Sequence, residues 1–79
     1  MERIILYTKQ RCHLCDEMKL ILTNIQSSIP FQYEEIDIET DKALSEKYKE
    51  KIPVLMVDGK MFAKYTVDEM KLRTKLNNL

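Results

Sequence analysis

The chain has 79 residues, thirteen of them basic and thirteen acidic, for a formal net charge of +0, and 44% of them hydrophobic. At this length residues 1–79 form one domain, near the lower limit at which an apolar core suffices without a metal or several disulfides, and the interspersed charges hold no basic block for a nucleic acid to bind. The early apolar run Ile4-Ile5-Leu6-Tyr7 is too short for a signal-peptide core or a membrane span and follows Glu2, so a cytoplasmic location and no membrane partner are expected.

Arg3 to Tyr7 reads as a short buried strand, an apolar β-rich run between polar residues. Thr8-Lys9-Gln10-Arg11 connects it to Cys12-His13-Leu14-Cys15, which holds the only two cysteines of the chain. From there Leu14, Met18, Ile21, Leu22, Ile25 and Ile29 recur at spacings of three and four, which predicts an amphipathic helix ending near Ser27-Ser28, before Pro30. Phe31, Tyr33, Ile36 and Ile38 mark a second strand. Its alternation slips between Tyr33 and Ile36, as a bulge or an early strand end would make it do. Thr40-Asp41 can cap a short helix with Ala43, Leu44, Lys47 and Tyr48 on one side, closed by the charged run Lys49-Glu50-Lys51.

Ile52-Pro53-Val54-Leu55-Met56-Val57, then Asp58-Gly59, then Lys60-Met61-Phe62-Ala63 reads as a β-hairpin, because Asp-Gly suits a two-residue turn that needs positive φ. Thr66-Val67-Asp68-Glu69 fits a capping box and predicts a last helix from Val67, with Val67, Met70, Thr74 and Leu72, Leu76, Leu79 as overlapping apolar stripes. The order strand, helix, strand, helix, strand, strand, helix makes an α/β fold. Its opening unit implies a parallel pair and its hairpin an antiparallel one, giving a four-stranded mixed sheet flanked by three helices.

The cysteines are the chemically informative residues. Three apart at the start of a helix, they share a face at a separation a disulfide can bridge. Cys12 lies where unpaired backbone N–H groups and the helix dipole favour an anion, which makes it the attacking thiolate; Cys15, one turn further in, is then the resolving thiol. A loop this short stabilises little as a structural staple, and in a reducing cytosol such a pair cycles as a dithiol. Zinc would need four ligands where the chain supplies two thiols and His13, and a c-type haem would need histidine where Asp16 stands. An iron–sulfur cluster shared by two copies, each lending Cys12, stays open.

Around the pair, Lys9 and Arg11 supply cations that favour a thiolate or an anionic substrate, or are simply exposed loop charges. A protonated His13 would favour the Cys12 thiolate, whereas a neutral one at the surface would tune nothing. Leu14 offers packing or substrate-facing apolar surface, and Asp16 works mildly against ionising the cysteines. Pro53 belongs at the first residue of a strand or on an edge. The sharper reading is a cis Ile52–Pro53 bond that sets the Ile52 backbone beside the cysteines.

Taken together, Tyr7-Thr8-Lys9-Gln10-Arg11-Cys12-His13-Leu14-Cys15, then Ile36-Asp37-Ile38, then Ile52-Pro53 before the hairpin resemble the glutaredoxins over almost the whole chain, most closely a branch whose motif reads C-x-L-C followed by acidic residues. The resemblance implies a thioredoxin-like fold, βαβαββα, with a cis Pro53 facing the cysteines, and dithiol–disulfide exchange. His13 and Leu14 stand where typical members carry proline and tyrosine, and Ile52 stands where they carry threonine or valine. The paired glycines that let glutathione approach the backbone fall at Ala63-Lys64, and the acidic residue that holds its amino group falls near Thr66. Thr66, with the N–H groups of Val67 and Asp68, could still receive one carboxylate and Lys9 another.

The resulting expectation is a thiol–disulfide oxidoreductase, acting as a monomer on protein disulfides or glutathione mixed disulfides. Cys12 and Cys15 are its catalytic residues, and Lys9, His13, Ile52, Pro53 and Thr66 its substrate-binding ones. No tightly bound cofactor and no metal is expected; glutathione is a candidate co-substrate, and either glutathione or a reductase the electron donor. The alternatives are a redoxin recharged by a flavin-dependent thioredoxin-type reductase, a dimeric iron–sulfur carrier, and a non-enzymatic docking domain.

Overall fold

Strand β1, Ile4–Thr8, is central to a sheet described here from a computed structural model that covers residues 3–77. Helix α1, His13–Gln26, returns the chain to β2, Glu34–Asp37, which pairs parallel to β1. A single 3₁₀ turn, Ile38–Thr40, and helix α2, Lys42–Tyr48, lead to β3, Val54–Val57, antiparallel to β1 on its other side. Strand β4, Lys60–Lys64, closes the hairpin, and α3, Glu69–Asn77, ends the described chain. The sheet order is β2-β1-β3-β4, the four-stranded mixed sheet with three α-helices that the sequence predicts.

Side-chain alternation divides the core between the two sheet faces. Ile4, Leu6, Leu55 and Val57 pack with Met18, Leu22 and Ile25 of α1 and with Val67, Leu72 and Leu76 of the α3 region. Tyr7, Val54 and Met56 pack in a second cluster with Leu44 and Tyr48 of α2, and this cluster also contains both cysteines. Tyr7 lies opposite Ile36 on one side and Val54 on the other, and Val54 lies opposite Lys64. The end of β1, the start of β3 and the end of β4 therefore meet at one end of the sheet. The hairpin turn has the expected form, with Asp58 at φ 53° and Gly59 at φ 81°.

The boundaries differ from the predicted ones in ways that local hydrogen bonds explain. Phe31 and Tyr33 precede β2 and pack half-buried against the larger core, so the slip in alternation marks the place where the strand has yet to begin. Ile38 is buried within the 3₁₀ turn, not the strand. The Asp37 carboxylate accepts from Glu39 N–H at 2.8 Å, and the Thr40 hydroxyl donates to the Asp37 carbonyl at 2.7 Å, turning the chain there. On α2 only Leu44 and Tyr48 of the expected side face the core, while Ala43 and Lys47 are exposed. Ile52 and Pro53 precede β3 instead of opening it.

The expected capping box at Thr66 does not form, and α3 begins two residues later than Val67. Asp68 Oδ1 accepts from Lys71 N–H at 3.1 Å and the Asp68 carbonyl from Leu72 N–H at 3.0 Å, so Asp68 is the cap. Val67 is drawn into the core, and the Thr66 amide donates to the Lys64 carbonyl at 2.8 Å across a short bridge. Of the two predicted stripes, Leu72 and Leu76 are buried while Met70 and Thr74 are exposed; Leu79 lies outside the described residues. Arg73 fastens α3 to the end of α1: its guanidinium donates to the Asn24 carbonyl at 3.5 Å and to the Ser28 hydroxyl just beyond that helix at 2.6 Å, while its Nε donates to Glu69 of its own helix at 2.9 Å.

The cap assignment separates two neighbouring substitutions. Asp68→Ala should cost about 1 kcal/mol of stability, while Thr66→Ala should stay within about 0.5 kcal/mol of the parent, as urea denaturation would measure.

Candidate redox site

Cys12 is the N-cap of α1, with extended backbone at φ −110° and ψ 107°. Its carbonyl accepts the first helical hydrogen bond, from Asp16 N–H at 3.1 Å, and its Sγ accepts from Cys15 N–H at 3.1 Å. A sulfur thus takes the place an oxygen usually has at a helix start, with a backbone donor aimed at it and the positive end of the helix dipole behind it. Both effects favour the thiolate of Cys12 over its thiol. The two cysteines are joined as a disulfide with Cα atoms 5.1 Å apart.

The two sulfur-bearing residues differ sharply in access. Cys12 is partly exposed, whereas Cys15 has 1% of its surface accessible. Behind Cys15 lie Ile38, Tyr48, Ile52 and Val54, with Tyr7 stacked on Tyr48 at a centroid separation of 4.8 Å. This floor is apolar and comes from four separate segments, so it fixes Cys15 from beneath and leaves Cys12 facing outward.

Ile52 packs in the same cluster as both cysteines, the Ile52–Pro53 peptide bond is cis, and Pro53 is buried. The Pro53 carbonyl accepts from Tyr65 N–H at 2.8 Å, which ties the end of β4 to this segment. The predicted residues Cys12, Cys15, Ile52 and Pro53 are thereby brought together. Lys9 is exposed on the loop before Cys12, as is Arg11, which holds a left-handed φ of 55°. His13 is the first residue of α1; its side chain is 87% exposed and its Nε2 lies 3.3 Å from Glu17 Oε1 one turn on. Thr66 stands beside Tyr65 beyond β4, on the Lys64 bridge and not at a helix start, so the expected cradle of Val67 and Asp68 N–H groups is absent there.

A polar brace steadies the strand end that delivers the cysteines. Thr8 is buried and its hydroxyl donates to Glu35 Oε2 at 3.4 Å, while Lys19 Nζ reaches the same carboxylate oxygen at 2.9 Å. The hydrogen bond to Glu35 holds the Lys19 ammonium above its ordinary value of 10.5. This joins β1, β2 and α1 at the base of the loop. Nearby, burial pushes the Tyr33 phenol up from 10.0. At α3 the hydrogen bonds from Arg73 and then Asn24 lower the Glu69 carboxyl. Among the described residues no three His, Cys, Asp or Glu side chains converge as metal ligands. No described helix is long and apolar enough to cross a membrane.

What the motifs do not reveal is that Tyr7, Ile38 and Tyr48 form the floor beneath Cys15, and that Tyr65 is tied to the segment of the cis proline. Tyr48 is marked in the sequence only as apolar on a helix side, and its stacking on Tyr7 depends on how α2 docks. Tyr65 carries no motif; its one signal is an aromatic residue directly after a strand.

The family model for the Glutaredoxin-like domain (DUF836) matches residues 3–77. The chain belongs to this glutaredoxin-like family. A glutaredoxin-like protein of Dictyostelium discoideum is 35% identical over 79 residues, an alignment covering 92% of this chain and 73% of the relative. Among solved structures, protein Ne2328 of Nitrosomonas europaea is 28% identical with a TM-score of 0.78, covering 94% of this chain and 89% of its own. A structural-genomics target protein from X. campestris is 25% identical with a TM-score of 0.73, covering 96% and 97%. Mitochondrial thioredoxin 3 of Saccharomyces cerevisiae, in its oxidized form, shares the fold with a TM-score of 0.67 at 17% identity, over 99% of this chain and 78% of its own. This glutaredoxin-like chain therefore has a thioredoxin-like fold with a disulfide-forming cysteine pair at a helix start, an arrangement suited to redox chemistry.

The difference in access sets an expectation for the reduced protein. Iodoacetamide at limiting dose should modify Cys12 at least about tenfold faster than Cys15, read by peptide mass mapping; equal labelling would contradict the asymmetric site.

Proposed function

We propose that this glutaredoxin-like protein is a thiol–disulfide oxidoreductase that reduces protein disulfides, or mixed disulfides with glutathione, through Cys12. The observation that carries this reading is Cys12: partly exposed, its sulfur receiving the Cys15 N–H and joined in a disulfide to a buried partner cysteine. In the reduced protein the Cys12 thiolate attacks one sulfur of the substrate disulfide. A mixed disulfide forms, and the other substrate sulfur leaves as a thiolate that takes up a proton. Cys15 then loses its proton and attacks Cys12 Sγ, closing the internal disulfide and releasing the second substrate thiol. The substrate gains two electrons and two protons, which the Cys12–Cys15 dithiol gives up. An external dithiol, or two molecules of a thiol such as glutathione, returns them.

Ile52 and Pro53 present a backbone edge beside the pair, and Lys9 supplies a cation on the approach loop. His13, exposed and able to ion-pair with Glu17 when protonated, is a modulating residue at the rim. Thr66 takes part through its place beyond β4 rather than as a helix cap.

A second reading concerns the electron donor. Ala63 and Lys64 carry side chains in β4 where the family resemblance puts the glycines that let glutathione approach. This favours recharging by a flavin-dependent thioredoxin-type reductase over recharging by glutathione, with the same chemistry at Cys12. We place the protein in the cytoplasm as a monomer, where a reducing environment would keep the pair cycling.

Replacing either cysteine tests the assignment. Cys12→Ser should abolish reduction of a protein disulfide, whereas Cys15→Ser should accumulate a covalent mixed disulfide with the substrate that dithiothreitol releases, visible on a non-reducing gel. Turnover by the Cys12→Ser protein would refute the reading.

A further inference from the structure

Among the described residues, three other than glycine hold a left-handed backbone: Arg11, Asp58 and Tyr65. Asp58 is explained by the hairpin turn, which needs positive φ at both central positions. The other two lie at the redox end of the sheet, Arg11 directly before Cys12 and Tyr65 directly after β4. For a bulky side chain this conformation is disfavoured and persists only where the surroundings hold it, and such residues gather at functional sites.

Tyr65, at φ 67°, is held at both ends. Its amide donates to the Pro53 carbonyl at 2.8 Å, and its hydroxyl donates to the Glu50 carbonyl at 2.8 Å. The ring is therefore stretched along the Glu50–Pro53 segment, whose Ile52 packs with the cysteines. Burying this ring would satisfy an apolar surface, yet 42% of the residue stays exposed. Leu14, between the cysteines in sequence, is 41% exposed. One exposed apolar residue is ordinary. Two of them belong to the segments that build the site, Leu14 to the helix turn that carries Cys15 and Tyr65 to the turn fastened to the segment of the cis proline, and both leave apolar surface open to solvent.

We propose that Tyr65 is a specificity-determining residue, whose ring, together with the exposed Leu14 between the cysteines, takes the apolar or aromatic side chains flanking a cysteine in a polypeptide, so that the protein favours peptide-borne disulfides over small hydrophilic ones. This deepens the exchange reading and rests on it. The bond exchange at Cys12 is unchanged; the ring acts on the neighbours of the sulfur under attack. A large rigid aromatic supplies contact area at small entropic cost, and a small hydrophilic disulfide has no flanking side chain to reach it.

The test compares the parent protein with Tyr65→Gly and Tyr65→Phe, each reduced beforehand and then mixed with one of two oxidised substrates. One is a synthetic peptide with an internal disulfide flanked by leucine and phenylalanine, and the other is bis(2-hydroxyethyl) disulfide. The second-order rate of closing of the Cys12–Cys15 pair is read by rapid quench and mass. Glycine is at ease at this φ, so Tyr65→Gly removes the ring without straining the backbone. It should slow the reaction with the peptide about tenfold and that with the small disulfide less than about twofold, while Tyr65→Phe should match the parent with both. An equal loss with both substrates, an unchanged rate with the peptide, or a Tyr65→Phe protein as slow as Tyr65→Gly would overturn the proposal. A parent protein oxidised by neither substrate would instead refute the exchange reading itself.

Discussion

The backbone N–H of Cys15 points at the sulfur of Cys12, and the rest of the structure serves to keep that contact in place. A helix start has donors without partners, and most proteins satisfy them with an oxygen or with water. Here the acceptor is the sulfur of Cys12, and once the disulfide is reduced its charged form gains more from the donor than its neutral form does. The contact needs Cys12 extended and His13 already helical, which is the conformation found. That in turn needs α1 anchored along its length. Met18, Leu22 and Ile25 provide the anchor by burying one stripe against Ile4, Leu6, Leu55 and Val57.

The sheet supplies the other half of the site. Because β1 and β4 end where β3 begins, three connections converge: the cysteine loop, the segment of the cis proline and the turn at Tyr65. The second core cluster lies under this convergence, and it decides which cysteine meets solvent. Cys15 faces Ile38, Tyr48, Ile52 and Val54; Cys12 is at the margin. An apolar floor disfavours a charged Cys15, while the helix start favours a charged Cys12. The two thiols are thus made chemically unequal by their surroundings, although they are only one helical turn apart.

Much of this could be read from the residues. The 3–4 spacing from Met18 to Ile25 marks α1 and its buried face, although Leu14, the first residue of the expected stripe, is exposed, and Asp58-Gly59 marks the hairpin, because each rests on interactions within a few residues of each other. The pairing of Cys12 with Cys15 is local in the same sense. What failed was the choice between competing local signals. Thr66 and Asp68 are both good caps, and the outcome turned on Val67 being pulled into the core, which no short-range pattern records. Tyr33 and Ile36 could belong to one strand or to a loop followed by a strand, and the turn made by Asp37 and Thr40 shortened β2 at its far end. The floor of the site was illegible for a plainer reason: Tyr7 and Tyr48 are far apart in the chain and meet only because α2 docks under β1 and β3. Tyr65 was hidden as well, since its left-handed backbone and its bonds to Pro53 and Glu50 exist only once the sheet has formed.

The account stands on Cys12 and Cys15 forming a reversible couple. Equilibrating the protein in a graded series of redox buffers, quenching with acid and weighing it intact would follow the loss of two hydrogens as the pair closes. The account predicts one reversible transition, the same from the oxidised and the reduced side, with a midpoint in the range of about −270 to −120 mV spanned by thioredoxin-fold exchangers. A pair that stays open in every buffer, or a closed form that no thiol buffer can reduce, would contradict it.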